Sequence, residues 1–430
     1  MTRPSGSSLP GYLPTTLELR ALLRENRLDR ARTAPLLDGA LATRLKATVP
    51  LARRRELGAF FTPAALTSRA LAALPICPLT VTDPACGAGD LLLAAAYGLP
   101  VRRDATATLR DWGSRLRGFD IVPEFVDAAR LRIALLARVR AGGEVDPASL
   151  PNLLPGIRVA DGLRPEALTK SGGLVLMNPP FGLMAAPNGH AWMRGKVAKA
   201  AVFVERWISD LDENGWLVAI LPDVIRSGSR YARLRTIVAA SFVDVSITPL
   251  GRFDNTTDVD VFALVGRRAA QGGGPIAWWP EGTGRGEIAS AFDVHVGAIV
   301  AYRDGNKDAK RAFIQARELG PWTIHKRITS KWGAGPRVVQ PPFVAVRRTS
   351  SPSDKHRAVA AVVAGRRPVA VENHLLTLVP RSGRLADAVE LMKWLGSPEV
   401  DRLLQLRIRC RHLTVASLAS LPLPGRLRSR

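Results

Sequence analysis

Leu174-Val175-Leu176-Met177-Asn178-Pro179-Pro180-Phe181 reads as a short buried strand that stops at a rigid, polar, aromatic tip. The apolar run lies between Ser171-Gly172-Gly173 and two prolines, the punctuation that bounds strands. Prolines do not continue a sheet and do not easily open a helix here, so the backbone after Met177 turns with little freedom. One carboxamide, one carbonyl and one ring are thereby held at the carboxyl end of a strand, where open α/β sheets bind their ligands.

Such a tip suits an exocyclic amino group on a nucleobase. That nitrogen is a poor nucleophile because its lone pair is delocalised into the ring. Two acceptors set against its hydrogens pull it toward a tetrahedral shape and localise the pair. Asn178 Oδ1 and the Pro179 carbonyl can be those acceptors, and Phe181 can stack on the face of the base. The blander reading of the same residues is a proline-rich turn.

Upstream, Leu79-Thr80-Val81-Thr82-Asp83-Pro84-Ala85-Cys86-Gly87-Ala88-Gly89-Asp90 gives way to an apolar run from Leu91 to Ala96: a strand, a tight glycine turn and a helix. Gly87 and Gly89 let the backbone pass close to a ligand. Asp83, at the strand end, can hold an ammonium group. A dinucleotide loop needs a third glycine in Gly-x-Gly-x-x-Gly, which this turn lacks. Gly118-Phe119-Asp120-Ile121 reads as the next strand end, followed by a helix from Pro123 to about Ala137, and Asp120 there can accept from ribose hydroxyls. The gap of 37 residues from Asp83 to Asp120 exceeds the usual ~20, which puts an inserted helical stretch around 106–117. Glu124 is the rival carboxylate, less well placed beyond Pro123. Ile157-Arg158-Val159-Ala160-Asp161-Gly162 makes a third strand whose Asp161 is either a ligand acceptor or a turn cap. Earlier still, Glu56-Leu57-Gly58-Ala59-Phe60-Phe61-Thr62-Pro63 precedes a helical run from Leu66 to Leu74, with Thr62 near the cap and Pro63 in the first turn. Free amides and a hydroxyl there suit a carboxylate.

Together these stretches resemble the motifs of the S-adenosylmethionine-dependent amino-methyltransferases. They are most similar to the N6-adenine DNA methyltransferases whose cofactor motifs precede the catalytic motif. The resemblance covers roughly residues 56–266 and implies a Rossmann-like class I methyltransferase sheet, an α/β fold with a terminal antiparallel strand. It implies a catalytic set of Asn178, Pro179, Pro180 and Phe181. For S-adenosyl-L-methionine it implies a site at Phe61, Thr62, Asp83, Ala85, Gly87, Gly89, Asp120 and Asp161, with Thr62 on the methionine carboxylate and Asp161 on the adenine amino group. In the family an aromatic residue between the last two strands can face the flipped base, and Phe253 is the candidate, with core packing as its equal alternative.

The whole-chain chemistry points the same way. A net charge of +24 and a pI near 11.2 exclude an ordinary enzyme of small metabolites and suggest a polyanionic partner, nucleic acid before membrane. Three cysteines, Cys77, Cys86 and Cys410, give no disulfide framework, and Cys410 with His412 lacks two further ligands at metal spacing, so no metal is expected. With no long apolar run or signal peptide, the expected location is the cytoplasm.

Three regions are expected. Residues 1–50 form a helical extension, with leucines at helical spacing among arginines. Residues 51–270 hold the methyltransferase domain, in which Gly182 to Ala198 reads as a mobile substrate loop. Beyond the break at Gln271-Gly272-Gly273-Gly274-Pro275, residues 271–430 form a basic mixed α/β target-recognition domain. Residues 301–430 hold 25 Lys+Arg against 9 Asp+Glu, a net of +16. The basic pairs Lys326-Arg327, Arg347-Arg348 and Arg366-Arg367 are its candidate DNA contacts, although a solvated face explains any single pair. The resemblance implies double-stranded DNA as partner, beside a cognate restriction endonuclease or other defence-system subunits, in a restriction-modification setting. An RNA or protein-glutamine methyltransferase, and a non-catalytic DNA-recognition subunit, are the alternatives.

Overall fold

The computed structural model describes residues 13–25, 27–60, 62–72, 74, 80–164, 173–187, 192–254, 259–279, 286–300, 311–333 and 337–428. The chain divides into two compact units, residues 1–225 with 231–276, and residues 226–230 with 277–430.

The first unit is built on a seven-stranded sheet. Its strands are β1 (Val81–Asp83), β2 (Leu116–Asp120), β3 (Ile157–Val159), β4 (Leu174–Met177), β7 (Trp216–Pro222), β8 (Phe242–Arg252) and β9 (Asp260–Arg268), in the order β3-β2-β1-β4-β7-β9-β8. Strands β5 (Leu183–Ala185) and β6 (Lys196–Ala198) form a separate hairpin. The first five strands of the sheet run parallel, and β9 is antiparallel to both β7 and β8. The last strand in sequence is therefore next to the edge of the sheet, inserted between β7 and β8. Strands β4 and β7 are buried on both faces and read as unbroken apolar runs, as parallel strands covered by helices do. The chain leaves β1 toward β2 and β3, then returns to β4 on the other side of β1. That reversal is the switch point at which such sheets open a crevice. Helix Ala105–Arg115 lies between β1 and β2 and accounts for the long gap between Asp83 and Asp120.

Three helices, Leu13–Arg24, Arg30–Leu37 and Ala40–Thr48, form the N-terminal region. They share the core of the sheet through Leu19, Leu22, Leu23, Leu36, Leu41 and Leu45. Two buried arginines of helix Pro123–Ala141 fasten them. Arg138 donates to the carbonyls of Leu22 (2.7 Å) and Glu25 (2.8 Å). Arg132, 1 % exposed, donates to Leu36 O (2.9 Å), Ala88 O (2.8 Å) and Asp90 Oδ1 (2.6 Å). One guanidinium thus joins the end of an N-terminal helix to the glycine turn. Arg132→Met would leave Asp90 and the carbonyls of Leu36, Leu37 and Ala88 without their buried partner. Such a loss costs about 3–5 kcal/mol, and a clear fall in the urea midpoint is expected; an unchanged midpoint would mean the guanidinium is dispensable.

The second unit carries β10 (Phe292–Val296), β11 (Arg311–Ile314), β12 (Ile324–His325), β13 (Lys331–Trp332), β14 (Phe343–Arg347), β15 (Ala360–Val363), β16 (Val369–Val371) and β17 (Leu375–Pro380). They form a five-stranded sheet, β10-β17-β14-β15-β12, and a three-stranded one, β13-β11-β16. Alternation along β14 and β15 explains their burial. Val344, Val346, Ala360 and Val362 face Leu391, Leu395 and Leu404 of the helices Leu385–Leu395 and Pro398–Arg407. Phe343, Ala345, Ala361 and Val363 face Ile314, Val369 and Val371 of the small sheet. No helix among the described residues is long and apolar enough to cross a membrane.

Candidate functional site

Four parallel strands end side by side, and each ends in a polar side chain. Asp83 closes β1 and Asp120 closes β2, Asp161 lies two residues beyond β3, and Asn178 follows β4. All four line one cavity of about 260 Å³. The structure therefore brings together residues that lie as far apart as Asp83 and Asn178 because strand order, and not sequence distance, sets their spacing.

The glycine turn is held by the two deeper carboxylates. Asp83 Oδ1 accepts from Ala85 N (3.0 Å), and Asp120 accepts from Gly87 N (3.0 Å) and Val122 N (2.9 Å). Gly87 and Gly89 both lie in the left-handed region, at φ 52° and 84°. A Cβ on Gly89 would stand 2.9 Å from Ala129 Cβ, so the turn and helix Pro123–Ala141 touch through bare backbone. Ala85 and Gly87 line the cavity, whereas Gly89 shapes the turn behind it. Asp161 Oδ1 accepts from Leu163 N (2.9 Å), so Asp161 both braces a turn and lines the cavity.

Burial pushes the Asp83 carboxyl up to about 8, helped by the nearby charges of Asp120 and Asp90 and opposed by the Ala85 N–H. Burial also pushes Asp120 up to about 6. Burial raises the Cys86 thiol as well, which leaves it a packing residue rather than a nucleophile. The raised carboxyls have a definite pH consequence. Asp83 holds its proton in the folded chain to about pH 8 but loses it near pH 4 when unfolded. Its contribution to stability is full below pH 4 and is lost as pH rises toward 8. A cation placed against Asp83 reverses this, because it favours the carboxylate. Affinity for any cationic ligand seated against Asp83 is expected to rise by up to about tenfold per pH unit between pH 6 and 8, with proton release on binding. Titration calorimetry in buffers of different ionisation enthalpy reads both, and a flat profile, unchanged by Asp83→Asn, would refute it.

Asn178 is oriented by the segment before helix Ala64–Leu71. Its Nδ2 donates to Thr62 Oγ1 (2.8 Å) and Phe60 O (3.4 Å). Phe60 O can only accept, so the amide cannot be turned round. Its Oδ1 is buried and accepts no hydrogen bond among the described residues. Thr62 stands directly before the helix cap, near it as expected, whereas Pro63, expected in the first turn, is itself the cap residue; the Thr62 hydroxyl meets Asn178. Phe61 lies outside the described residues.

Pro179 is buried, and Pro180 lines the cavity. Phe181 is half-buried and meets Phe253 edge to face, with ring centroids 5.3 Å apart at 84°. Phe253 is only 2 % exposed. In this state it backs Phe181 and offers no open ring face. The stretch expected as a loop after Gly182 is a hairpin, β5 with β6, and residues 188–191 within it lie outside the described residues. Met184 of that hairpin, and Lys199 and Phe203 of helix Lys199–Asp210, also line the cavity. The i, i+4 spacing of Lys199 and Phe203 on a helix start was the available signal for them.

The basic pairs of the second unit divide. Lys326, Arg327, Arg366 and Arg367 are exposed. Arg347 and Arg348 are half-buried, and their guanidiniums donate to Leu319 O (2.7 Å) and Asn373 O (3.5 Å). Arg357 is fully buried, holding Ser350 O and Ile408 O at 2.9 Å.

No family model matches the sequence, and no curated protein does. Solved structures do match. The DNA complex of the type IIL restriction-modification enzyme MmeI aligns with a TM-score of 0.50 at 13 % identity, over 89 % of this chain and 70 % of that one. The M protein of the type I restriction enzyme EcoKI aligns with a TM-score of 0.36 at 20 % identity, over 60 % of this chain and 55 % of that one. A type I restriction-modification methyltransferase subunit from Streptococcus thermophilus aligns with a TM-score of 0.35 at 18 % identity, over 49 % and 45 %. The chain thus spans about half the length of the two modification subunits. At these identities the likeness is one of architecture alone: the chain shares an α/β arrangement with the MmeI structure, and its first unit carries a largely parallel sheet.

Proposed function

We propose that this protein is a DNA methyltransferase that transfers a methyl group from S-adenosyl-L-methionine to the N6 amino group of an adenine turned out of the duplex. The carrying observation is Asn178. Its carboxamide is clamped through Nδ2 while its buried Oδ1 has no partner among the described residues. A buried acceptor left unpaired costs about 1–3 kcal/mol, and an amino N–H from a substrate relieves that cost. Pro179 O supplies the second acceptor, and Phe181, braced by Phe253, supplies the stacking surface.

The cavity suits a cationic nucleoside. Asp83 is buried with no cation bonded to it among the described residues, so a positive ligand gains more here than in water. Asp83 would take the ammonium, Asp120 the ribose, Asp161 the adenine amino group, and Thr62 the carboxylate end. S-adenosylmethionine, when bound, supplies an electrophilic methyl group on a sulfonium. The residues of this chain hold the acceptor amine, localise its lone pair and keep it in line, which is catalysis by positioning. The target base must leave the helix because its amino group is otherwise paired. The second unit, with a net charge of +16 over residues 301–430, is the proposed target-recognition domain. A restriction endonuclease or another defence component is the proposed partner.

The test is methyl transfer from radiolabelled cofactor to unmethylated plasmid DNA, beside total RNA and a protein extract. Label on DNA adenine supports the reading. Label on RNA or on protein glutamine keeps the catalytic tip and overturns the substrate. Cofactor binding with no label anywhere overturns catalysis and leaves a recognition subunit.

A further inference from the structure

The second unit holds a recess built by strand register. Lys331 pairs with Ala312 from one side of β11, and Val369 pairs with Ala312 from the other. Arg311 precedes Ala312, and Arg367 stands two residues before Val369. The register puts Lys331 and Val369 on the same face as Ala312, with Arg367 just before Val369, and Arg311, the first residue of β11, lines the same recess. The three cations line a concavity of about 500 Å³ whose other lining residues, among those described, are Ala312, Ile328, Val338 and Pro368. Among the described residues no carboxylate lines it. All three cations are exposed, and among the described residues none has a side-chain hydrogen bond or ion pair. Like charges held together without a counter-charge repel, and an anion seated among them relieves that repulsion.

We infer that Arg311, Lys331 and Arg367 form a phosphate-ester seat for the backbone of a polynucleotide. Two features favour a polymer over a free nucleotide. First, the lining holds no aromatic side chain among the described residues, so there is no platform on which a lone base could stack. Second, the cations continue outward. Strands β12 and β15 pair in parallel, and Ala364 N donates to His325 O at 2.9 Å, so Lys326-Arg327 and Arg366-Arg367 emerge side by side. Arg367 belongs to both the run and the recess. The aliphatic wall suits sugar carbons between successive phosphates. That the polynucleotide is DNA rests on the function proposed above; the seat itself does not.

The test is anisotropy of a labelled 30-base-pair duplex at several salt concentrations, with the full chain. The triple variant R311Q/K331Q/R367Q is compared with K393Q/R402Q/R426Q, which removes the same charge from three exposed positions on helices. Each lost phosphate contact lowers the slope of log K against log salt by about 0.9. The recess variant is expected to lose up to about 2.7 from the slope and the control variant less than half of that. Equal losses in both variants would overturn the seat. ATP binding that needs the recess, with an unchanged duplex slope, would overturn the polymer assignment. Methyl transfer is not part of this readout. A recess-dependent slope in a chain that methylates nothing would leave the seat standing and remove the catalytic proposal.

Discussion

Asn178→Ala is expected to lower methyl transfer to DNA by about 10²–10³-fold, the usual loss when one preorganised polar group of an active site is removed, with cofactor affinity changed by no more than a few-fold. The asymmetry follows from where the two ends of the carboxamide point. Nδ2 is spent on Thr62 Oγ1 and Phe60 O, which are parts of the protein. Oδ1 is the end with nothing to accept from among the described residues. Alanine removes that acceptor and leaves the three carboxylates Asp83, Asp120 and Asp161 in the cavity wall. On the proposed mechanism the effect therefore falls on the acceptor amine and is expected in kcat. Asn178→Asp is the sharper variant. It keeps the shape and an acceptor but loses the N–H₂ donor, and it sets a second oxygen against Phe60 O. It is expected to be as inactive as the alanine variant, because orientation and neutrality matter as much as the acceptor itself. Single-turnover transfer together with equilibrium cofactor binding separates the two effects. Wild-type transfer by the alanine variant would end the proposed role of Asn178.

The cavity could be read from the sequence for a physical reason. Asp83, Asp120, Asp161 and Asn178 each sit at the end of a short apolar stretch, and that local signal survives without any tertiary information. Parallel pairing then puts every such end on one edge of the sheet. The side chains that were not legible are those whose partners come from far along the chain. Arg132 is indistinguishable in sequence from a solvated helix residue, yet it satisfies a carbonyl 96 residues away. Arg347 and Arg348 look like one more basic pair until Leu319 O and Asn373 O claim them. Arg311 and Lys331 carried no clustering signal, because only the register of β11 and β13 makes them neighbours. Charge composition pointed to a polyanion and could not say which cations are free to meet one. Phe253 shows the same limit for an aromatic ring: burial decides between substrate contact and packing, and burial is a property of the folded chain.

Gly58→Ala is expected to damage catalysis far from any reacting atom. Gly58 sits at φ 69°, and a Cβ built on it would stand 2.4 Å from Pro180 Cβ and 3.0 Å from its Cγ. A proline ring at the turn of the proposed catalytic tip cannot swing aside as a flexible side chain would. Either Pro180 moves, taking Asn178 and Phe181 with it, or the segment from Gly58 to Thr62 lifts and withdraws both partners of Asn178 Nδ2. Both routes misplace the acceptor amine by a fraction of an ångström to an ångström, which costs on the order of 10²-fold in rate. The left-handed backbone adds about 1–2 kcal/mol of strain for alanine, so part of the damage would be to stability alone. Gly39→Ala separates the two. Gly39 has φ 76°, and a methyl group added there would meet nothing within 4 Å, so alanine bears the backbone strain without the collision. Gly39→Ala is expected to lose stability and keep transfer per folded molecule, whereas Gly58→Ala loses both. Equal transfer rates in the two variants would mean that the contact between Gly58 and Pro180 does not hold the catalytic tip.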